Sequence, residues 1–203
     1  MHFTFRRQPA SNSVALMRIG VIVCVAGVSF SLAGCGAFSH DPDGPGTPGP
    51  PVPLKQVVLN DAHGLWGGES LWLAEDGTAV VQVVSEPPQG QVGLWEKRYR
   101  RKVPEAQRAE IERLVGAHDF FSLKAGFPRT GVPDEAAHAV YLVAKDGRKL
   151  TAVKWAKDKR PRFDALADVL FGMMRTTEGR ELIHEGLFDW DRAPDGFEKP
   201  WAG

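Results

Sequence analysis

The sequence predicts an α+β domain, in which an antiparallel sheet of about six strands has two to three helices packed on one face. Two Asp-Gly dipeptides, at residues 76–77 and 146–147, each join two segments with strand character, as is typical of β-hairpins. Two stretches with apolar residues at helical spacing come after groups of strands. Hairpins followed by helices favour an antiparallel sheet over a parallel one.

Six segments have the composition of strands: residues 55–59, 70–74, 78–84, 93–103, 138–145 and 149–155. The β-branched run at residues 78–84 (TAVVQVV) is the clearest, since such side chains suit a pleated backbone. The fourth segment carries five cations, Lys97, Arg98, Arg100, Arg101 and Lys102. On a strand these cations alternate between the two faces, so we expect a solvated edge strand.

Helices are predicted from apolar spacing. Residues 105–118 follow Pro104, which is tolerated at a helix start, and residues 163–174 repeat apolar side chains every three or four positions. We expect a third, short helix over residues 177–188. The tail, residues 189–203, is expected to be irregular and to pack through Trp190, Phe197 and Trp201.

The N-terminal segment has the pattern of an export signal. Arginines precede an apolar run at residues 19–33, which is shorter than the roughly 20 residues that a membrane-spanning helix needs. The run ends in Leu32, Ala33, Gly34 and Cys35.

This tetrapeptide resembles the lipobox of bacterial lipoproteins. The resemblance implies that residues 1–34 are a signal peptide, that a peptidase cuts before Cys35, and that the Cys35 thiol carries a diacylglycerol and its amino group commonly an acyl chain. Gly36 stands where an inner-membrane retention signal usually has aspartate, which favours the outer membrane, facing the periplasm, in a Gram-negative cell. A plain secretory signal or an uncleaved anchor is the alternative, and Met17 is an alternative start to Met1.

The sequence divides into the signal peptide, a lipidated Cys35 with a Pro/Gly-rich linker at residues 35–53, and a single globular domain at residues 54–203. We expect residues 40–53 to form an extended spacer of about 30 to 40 Å, at about 3.1 Å per residue. Asp41 and Asp43 are interpreted as solvated residues of this linker.

Charge and cysteine content exclude some functions. Only three charged residues, all arginines, precede Cys35, so the mature chain has 22 basic and 25 acidic residues. A nucleic-acid binder needs a basic face, which this balance does not favour. The only other cysteine, Cys24, leaves with the signal, so the mature chain forms no internal disulfide.

The residue pattern signals no catalytic or metal site. The histidines of the domain, His63, His118, His138 and His184, stand in no metal-ligand spacing, and no nucleophile motif or phosphate-binding loop is present. We therefore expect no cofactor, no metal and no enzymatic activity. An enzyme would need a cleft that gathers several of these histidines with Asp134.

One loop has the composition of a binding site. His63, Leu65 and Trp66 lie among glycines between the first two predicted strands, and tryptophan is enriched in binding hot spots. These three residues are the candidate partner-binding loop. The alternative is that Trp66 folds back onto the core.

Residues 105–174 resemble emfourin, an inhibitor of thermolysin-like metallopeptidases, and related small bacterial domains. The resemblance is carried by a helix ending in residues 119–123 (DFFSL), the hairpin from Tyr141 to Trp155, and a helix with Pro161, Leu166 and Leu170. It implies that the Trp66 loop enters a protease cleft. We thus expect a membrane-anchored envelope lipoprotein with a non-catalytic binding or structural domain, the alternative being a metallopeptidase inhibitor.

Overall fold

The computed structural model describes residues 43–63, 65–125 and 137–199. Its elements, in chain order, are β1 Leu54–Asn60, β2 Gly68–Ala74, β3 Thr78–Ser85, β4 Trp95–Lys102, α1 Glu105–Ala117, a 3-10 helix Phe120–Ser122, β5 Ala137–Ala144, β6 Lys149–Trp155, α2 Pro161–Arg175 and β7 Glu181–Leu187. Outside the described residues lie the predicted signal peptide, Cys35, Asp41, Gly64, Asp134 and Trp201. Among the described residues, no helix has the length and hydropathy needed to cross a membrane.

The strands form one sheet with the order β6-β5-β1-β2-β3-β4-β7, in which every neighbouring pair is antiparallel. Tight turns at Asp76–Gly77 and Asp146–Gly147 join β2 to β3 and β5 to β6. Gly77 and Gly147 have positive φ angles of 80° and 90°, which glycine adopts without steric cost. The predicted α+β class and the helices on one face are confirmed, with seven strands where about six were expected.

The main core lies between the sheet and the two helices. Alternate strand residues such as Leu59 and Leu71 point to this side and meet Ile111 of α1 and Leu166 and Leu170 of α2, all of which are fully buried. Burial of such side chains contributes about 1.5–3 kcal/mol each, so this layer dominates the stability of the domain.

The second face of the sheet is covered in part by the tail. Val58, Trp72 and Val80 form a smaller cluster there, against which Phe197 packs, with its ring 5.9 Å from the Trp72 ring in an edge-to-face arrangement. The prediction that the tail packs through Phe197 is therefore right, whereas Trp190 is 40% exposed.

The expected helix over residues 177–188 is wrong, because this segment contains β7, which pairs with β4 from Trp95↔Leu187 to Arg100↔Glu181. A bulge between Arg98 and Tyr99 shifts the register. Since β7 lies at the edge of the sheet and is exposed for most of its length, it lacks the apolar alternation of a buried strand.

The expected solvated edge at β4 is also wrong. Because β7 lies outside it, β4 is an interior strand, and Arg98 and Arg101 are buried with only 3% and 8% exposure. Arg98 binds Glu96, and Arg101 donates to the Met173 carbonyl at the end of α2 at 2.9 Å.

The linker expectation is wrong from Asp43 onward, because residues 43–53 pack against the domain. The Gly49 amide donates to the Gly116 carbonyl at 2.9 Å, and the Val52 amide to the Glu112 carbonyl at 3.0 Å. The Asp43 side chain is fully buried and pairs with Arg160. The folded body therefore begins before residue 54, and Asp43 is not a solvated residue.

Candidate functional site

Most exposed apolar side chains of the described part lie at one end of the sheet. There β1 leads into β2, β3 leads into β4, and β7 ends, as the pairs Gly68↔Val84 and Trp95↔Leu187 show. Five of the seven large apolar residues that are exposed in the described part lie here: Leu65, Trp66, Val92, Leu187 and Trp190. We call these five residues the apolar end.

The most exposed part of this surface is a short hairpin tip. His63 and Gly67 form a β-bridge through two backbone hydrogen bonds of 2.7 and 2.8 Å, and the Leu65 amide donates to Nδ1 of His63 at 3.1 Å. Leu65 and Trp66 lie between the bridged residues and are 69% and 72% exposed. The alternative that Trp66 folds back onto the core is therefore wrong.

Glycine at positions 67 and 68 is required by close backbone contacts. Both residues have positive φ angles, 80° and 131°. A Cβ atom on Gly67 would lie 2.2 Å from the Val84 carbonyl oxygen, and one on Gly68 would lie 2.3 Å from that of Asp61. The tip is thus pressed against neighbouring backbone, which holds Leu65 and Trp66 in place.

A contact between Asp61 and His138 supports the base of the tip. The Asp61 carboxylate lies 2.7 Å from Nδ1 of His138, and the His138 ring packs edge-to-face on Phe171 at 5.2 Å. This pair connects the tip to β5 and α2. Because the side chains that carry the tip are fixed, little conformational entropy is lost when it binds a partner.

The other apolar side chains of the apolar end lie in the loops after β3 and β7, at the same end of the sheet. Leu187 approaches Gly93, since a Cβ on that glycine would lie 3.8 Å from Leu187 Cδ2. Phe188 donates its amide to the Leu94 carbonyl at 2.9 Å, and its ring stacks edge-to-face on Trp190 at 4.9 Å. The loop after β3 and the loop after β7 are therefore joined.

Two buried arginines, Arg160 and Arg162, lie near the same end of the sheet, on the side of the helices. We call them the clamp. Arg160 binds both Asp43 carboxylate oxygens at 2.7 and 2.8 Å, and also the carbonyls of Lys124 and Val153. Arg162 donates to the His118 and Asp119 carbonyls at the end of α1. Burial alone would raise the pKa of the Asp43 carboxyl, but the hydrogen bonds and charge of Arg160 outweigh it and hold this pKa below its usual value.

A second buried charge cluster joins β4, β7 and the tail. Glu96, which is 1% exposed, accepts hydrogen bonds from Gln82 and Arg98, and His184 Nε2 lies 3.2 Å from its carboxylate. Arg98 also donates to the carbonyls of Arg192 and Ala193. Each group thus has partners within the protein, so the cluster holds elements together.

The helices leave part of β4 and β7 uncovered. Trp95 and Lys97 are only half-buried on the helical side, and both bind Glu185, at 3.1 and 3.4 Å. The Trp95 hydrogen bond, helped by Lys97, lowers the pKa of the Glu185 carboxyl. This face is continuous with the apolar end through Leu187, the register partner of Trp95.

The structure does not bring the predicted histidines together. His138, on β5, pairs with Asp61. His184, on β7 at the other edge of the sheet, lies next to Glu96, and His118 follows the end of α1. His63 lies at the base of the tip, where it is bridged to Gly67. Within the described ranges, no group of three or more acidic, histidine or cysteine side chains has the arrangement of a metal site.

Sequence reasoning found Leu65 and Trp66 but missed Val92, Leu187 and Trp190. Val92 lies in a loop with proline and glycine, where a single apolar residue does not indicate a binding surface. Leu187 was assigned to the expected helix over residues 177–188, so its place at this end of the sheet was not predicted. Comparison of the chain with known protein families, with curated proteins and with solved structures finds no match.

Proposed function

We propose that this chain is a bacterial envelope lipoprotein, held in the membrane by acyl chains on Cys35. Its folded part is a non-catalytic domain that binds a partner or has a structural role. The observation that carries the proposal is the order of the N-terminal sequence, in which arginines, an apolar run and Leu32-Ala33-Gly34-Cys35 follow one another. Two or three acyl chains suffice for stable anchoring, since each buried methylene contributes about 0.8 kcal/mol.

The described domain fits this role. Its described part is packed from Asp43 onward, eight residues after Cys35, so the anchor and the domain are close in the chain. The apolar end gives the domain an exposed surface of the kind that mediates binding. In a Gram-negative cell, we propose the outer membrane, with the domain facing the periplasm.

Membrane partition tests the anchoring. Wild type, Cys35→Ala and Cys24→Ala are expressed in a bacterium that processes lipoproteins, and the membrane and soluble fractions are compared. Wild type and Cys24→Ala are expected in the membrane at mature size, whereas Cys35→Ala is expected to be soluble or unprocessed. A Cys35→Ala protein of mature size that remains in the membrane would show that another feature anchors the chain.

Inhibition of a metallopeptidase is the second candidate function. It is favoured by the exposed, hydrogen-bonded tip with Leu65 and Trp66, which has the form of a segment that enters a cleft. The full chain is titrated against a thermolysin-like metallopeptidase, and Trp66→Ser is expected to weaken inhibition. Leu182→Ser, which changes an exposed apolar residue away from this end, is the matched control. Absence of inhibition by wild type would refute this function.

A further inference from the structure

We propose that the apolar end docks on the bilayer that holds the acylated Cys35, with Leu65 and Trp66 inserted among the lipid headgroups. The partner of this surface is thus a lipid surface and not another protein. This inference rests on the proposed function, because it requires the lipid anchor.

The chain enters the folded body near the apolar end. Asp43 is held by Arg160, which also binds the Val153 carbonyl, two residues before the end of β6. Val153 is the register partner of Ala139, and Ala139 is that of Asn60, after which the chain leads to the tip. Two strand spacings of about 4.8 Å therefore separate this carbonyl from the strand that leads to the tip.

The tether to the membrane is short. Eight residue steps separate Cys35 from Asp43, and because an extended chain covers at most about 3.6 Å per residue, they lie within about 29 Å of each other. Since Asp43 is fixed by a buried ion pair, residues 43–53 do not lengthen this tether. A short tether keeps the nearby end of the domain at a high effective concentration next to the bilayer.

The chemistry of the tip suits a membrane interface. Tryptophan favours the headgroup region, where its ring is partly buried and its N–H can form hydrogen bonds, and leucine gains from contact with acyl chains. Leu65 and Trp66 extend from a fixed hairpin, so both can insert without rearrangement of the fold. Val92, in the loop after β3 at the same end of the sheet, is 91% exposed and adds to the apolar surface.

The distribution of charge orients the contact. Lys124, Lys157 and Lys159 are exposed around the clamp, on the side where the tether begins. On the β7 side, Asp189 and Asp191 are exposed beside Trp190, but Lys199 binds Asp191 at 2.6 Å and Arg192 is exposed, so this side has no excess of positive charge. An anionic bilayer attracts the lysine side more strongly than the β7 side, so we expect the domain to tilt toward the tether.

The test uses full-length, lipidated protein in vesicles of phosphatidylethanolamine and phosphatidylglycerol. Cys35 is the only natural cysteine of the mature chain and its thiol is acylated, so a nitroxide is attached only to an introduced cysteine. Leu65→Cys places the label at the tip. Glu75→Cys, in the turn between β2 and β3 at the opposite end of the sheet, is the matched control. Collision of each label with oxygen and with a water-soluble nickel chelate reports its depth.

We expect the label at position 65 to be shielded from the chelate and accessible to oxygen, while the label at position 75 stays in water. Trp66→Ser, combined with the label at position 65, is expected to lower the ratio of docked to undocked protein by about tenfold, as loss of one buried large apolar side chain implies. Its thermal unfolding should match wild type, because Trp66 is exposed.

Three other outcomes would contradict either the docking of the apolar end on the bilayer or the lipid anchor itself. Equal chelate access at both positions, with the protein still on the vesicles, refutes docking and leaves the lipid anchor intact. Shielding at position 65 only in native membranes, and not in pure lipid, identifies a protein partner and also refutes docking on the bilayer. Protein that lacks acyl chains and does not bind vesicles refutes the proposed function itself.

Discussion

At the scale of single residues, the buried pair of Asp43 and Arg160 fixes the first described residue to the folded body. Both side chains are almost fully buried, and the pair holds the N-terminal segment against the start of α2. Removal of one partner leaves the other charge buried without compensation, which costs about 3–5 kcal/mol. We expect Asp43→Asn to lower the free energy of unfolding at neutral pH by this amount, as measured by urea denaturation.

The pH dependence of this loss follows from the pKa of Asp43. Its pKa is lower in the folded protein than in the unfolded chain, so its contribution is complete above the unfolded value and is lost as the pH falls through the folded one. The difference between wild type and Asp43→Asn should therefore shrink below about pH 4. A difference that stays constant down to pH 2 would contradict this assignment.

A second prediction for a single residue concerns the buried carboxylate of Glu96. It accepts hydrogen bonds from Gln82 and Arg98, and His184 Nε2 lies 3.2 Å from its carboxylate. Arg98 also donates to the Arg192 carbonyl of the tail. We expect Glu96→Gln to lower the free energy of unfolding by about 3–5 kcal/mol and to expose residues 188–199 to proteases. Glu185→Gln, which alters an exposed carboxylate of β7, is the control and should leave the free energy of unfolding nearly unchanged, because exposed ion pairs contribute little to stability. Equal effects of the two variants would refute a structural role for the cluster.

At the scale of elements, the contact between α1 and residues 49–53 depends on one glycine. A Cβ atom on Gly116 would lie 1.9 Å from the Pro50 carbonyl oxygen, so Gly116→Ala must displace this segment. We expect a loss of about 1–3 kcal/mol in the free energy of unfolding, as for other overpacked sites, and faster proteolysis of the segment.

Gly172→Ala in α2 is the matched control, because no atom outside the adjacent backbone of its own helix lies within 4 Å of its Cβ position. Alanine is favoured over glycine in a helix by about 1 kcal/mol, so this variant should be neutral or more stable. If both substitutions stabilise the protein, residues 49–53 do not pack on α1 as described.

The sequence predicts those elements whose structure depends on residues close together in the chain. The Asp-Gly turns place two hairpins, and Pro104 and Pro161 stand at the starts of α1 and α2. The structure of β7 depends instead on pairing with β4, more than 80 residues earlier, and its exposed side chains leave no apolar alternation. The candidate site shows the same difference. Trp66 can be singled out from its residue type and its glycine neighbours, whereas the place of Leu187 in the site follows only from the pairing of β7 with β4.

At the scale of the whole molecule, the boundary of the domain lies earlier than composition indicated. Proline and glycine made residues 40–53 resemble a spacer, whereas the partner of Asp43 is 117 residues away in the chain and leaves no local signal. A domain that starts at residue 54 should therefore have a lower urea midpoint than one that starts at residue 43. Equal midpoints would show that residues 43–53 add no stability.

Attachment to the membrane at Cys35 is the central claim, and the intact mass of mature protein extracted from bacterial membranes tests it most directly. We expect a chain that begins at Cys35 and is heavier than its polypeptide by a diacylglycerol, with or without a further acyl chain. A chain with the mass of the unmodified polypeptide, or one that begins at another residue, would contradict it.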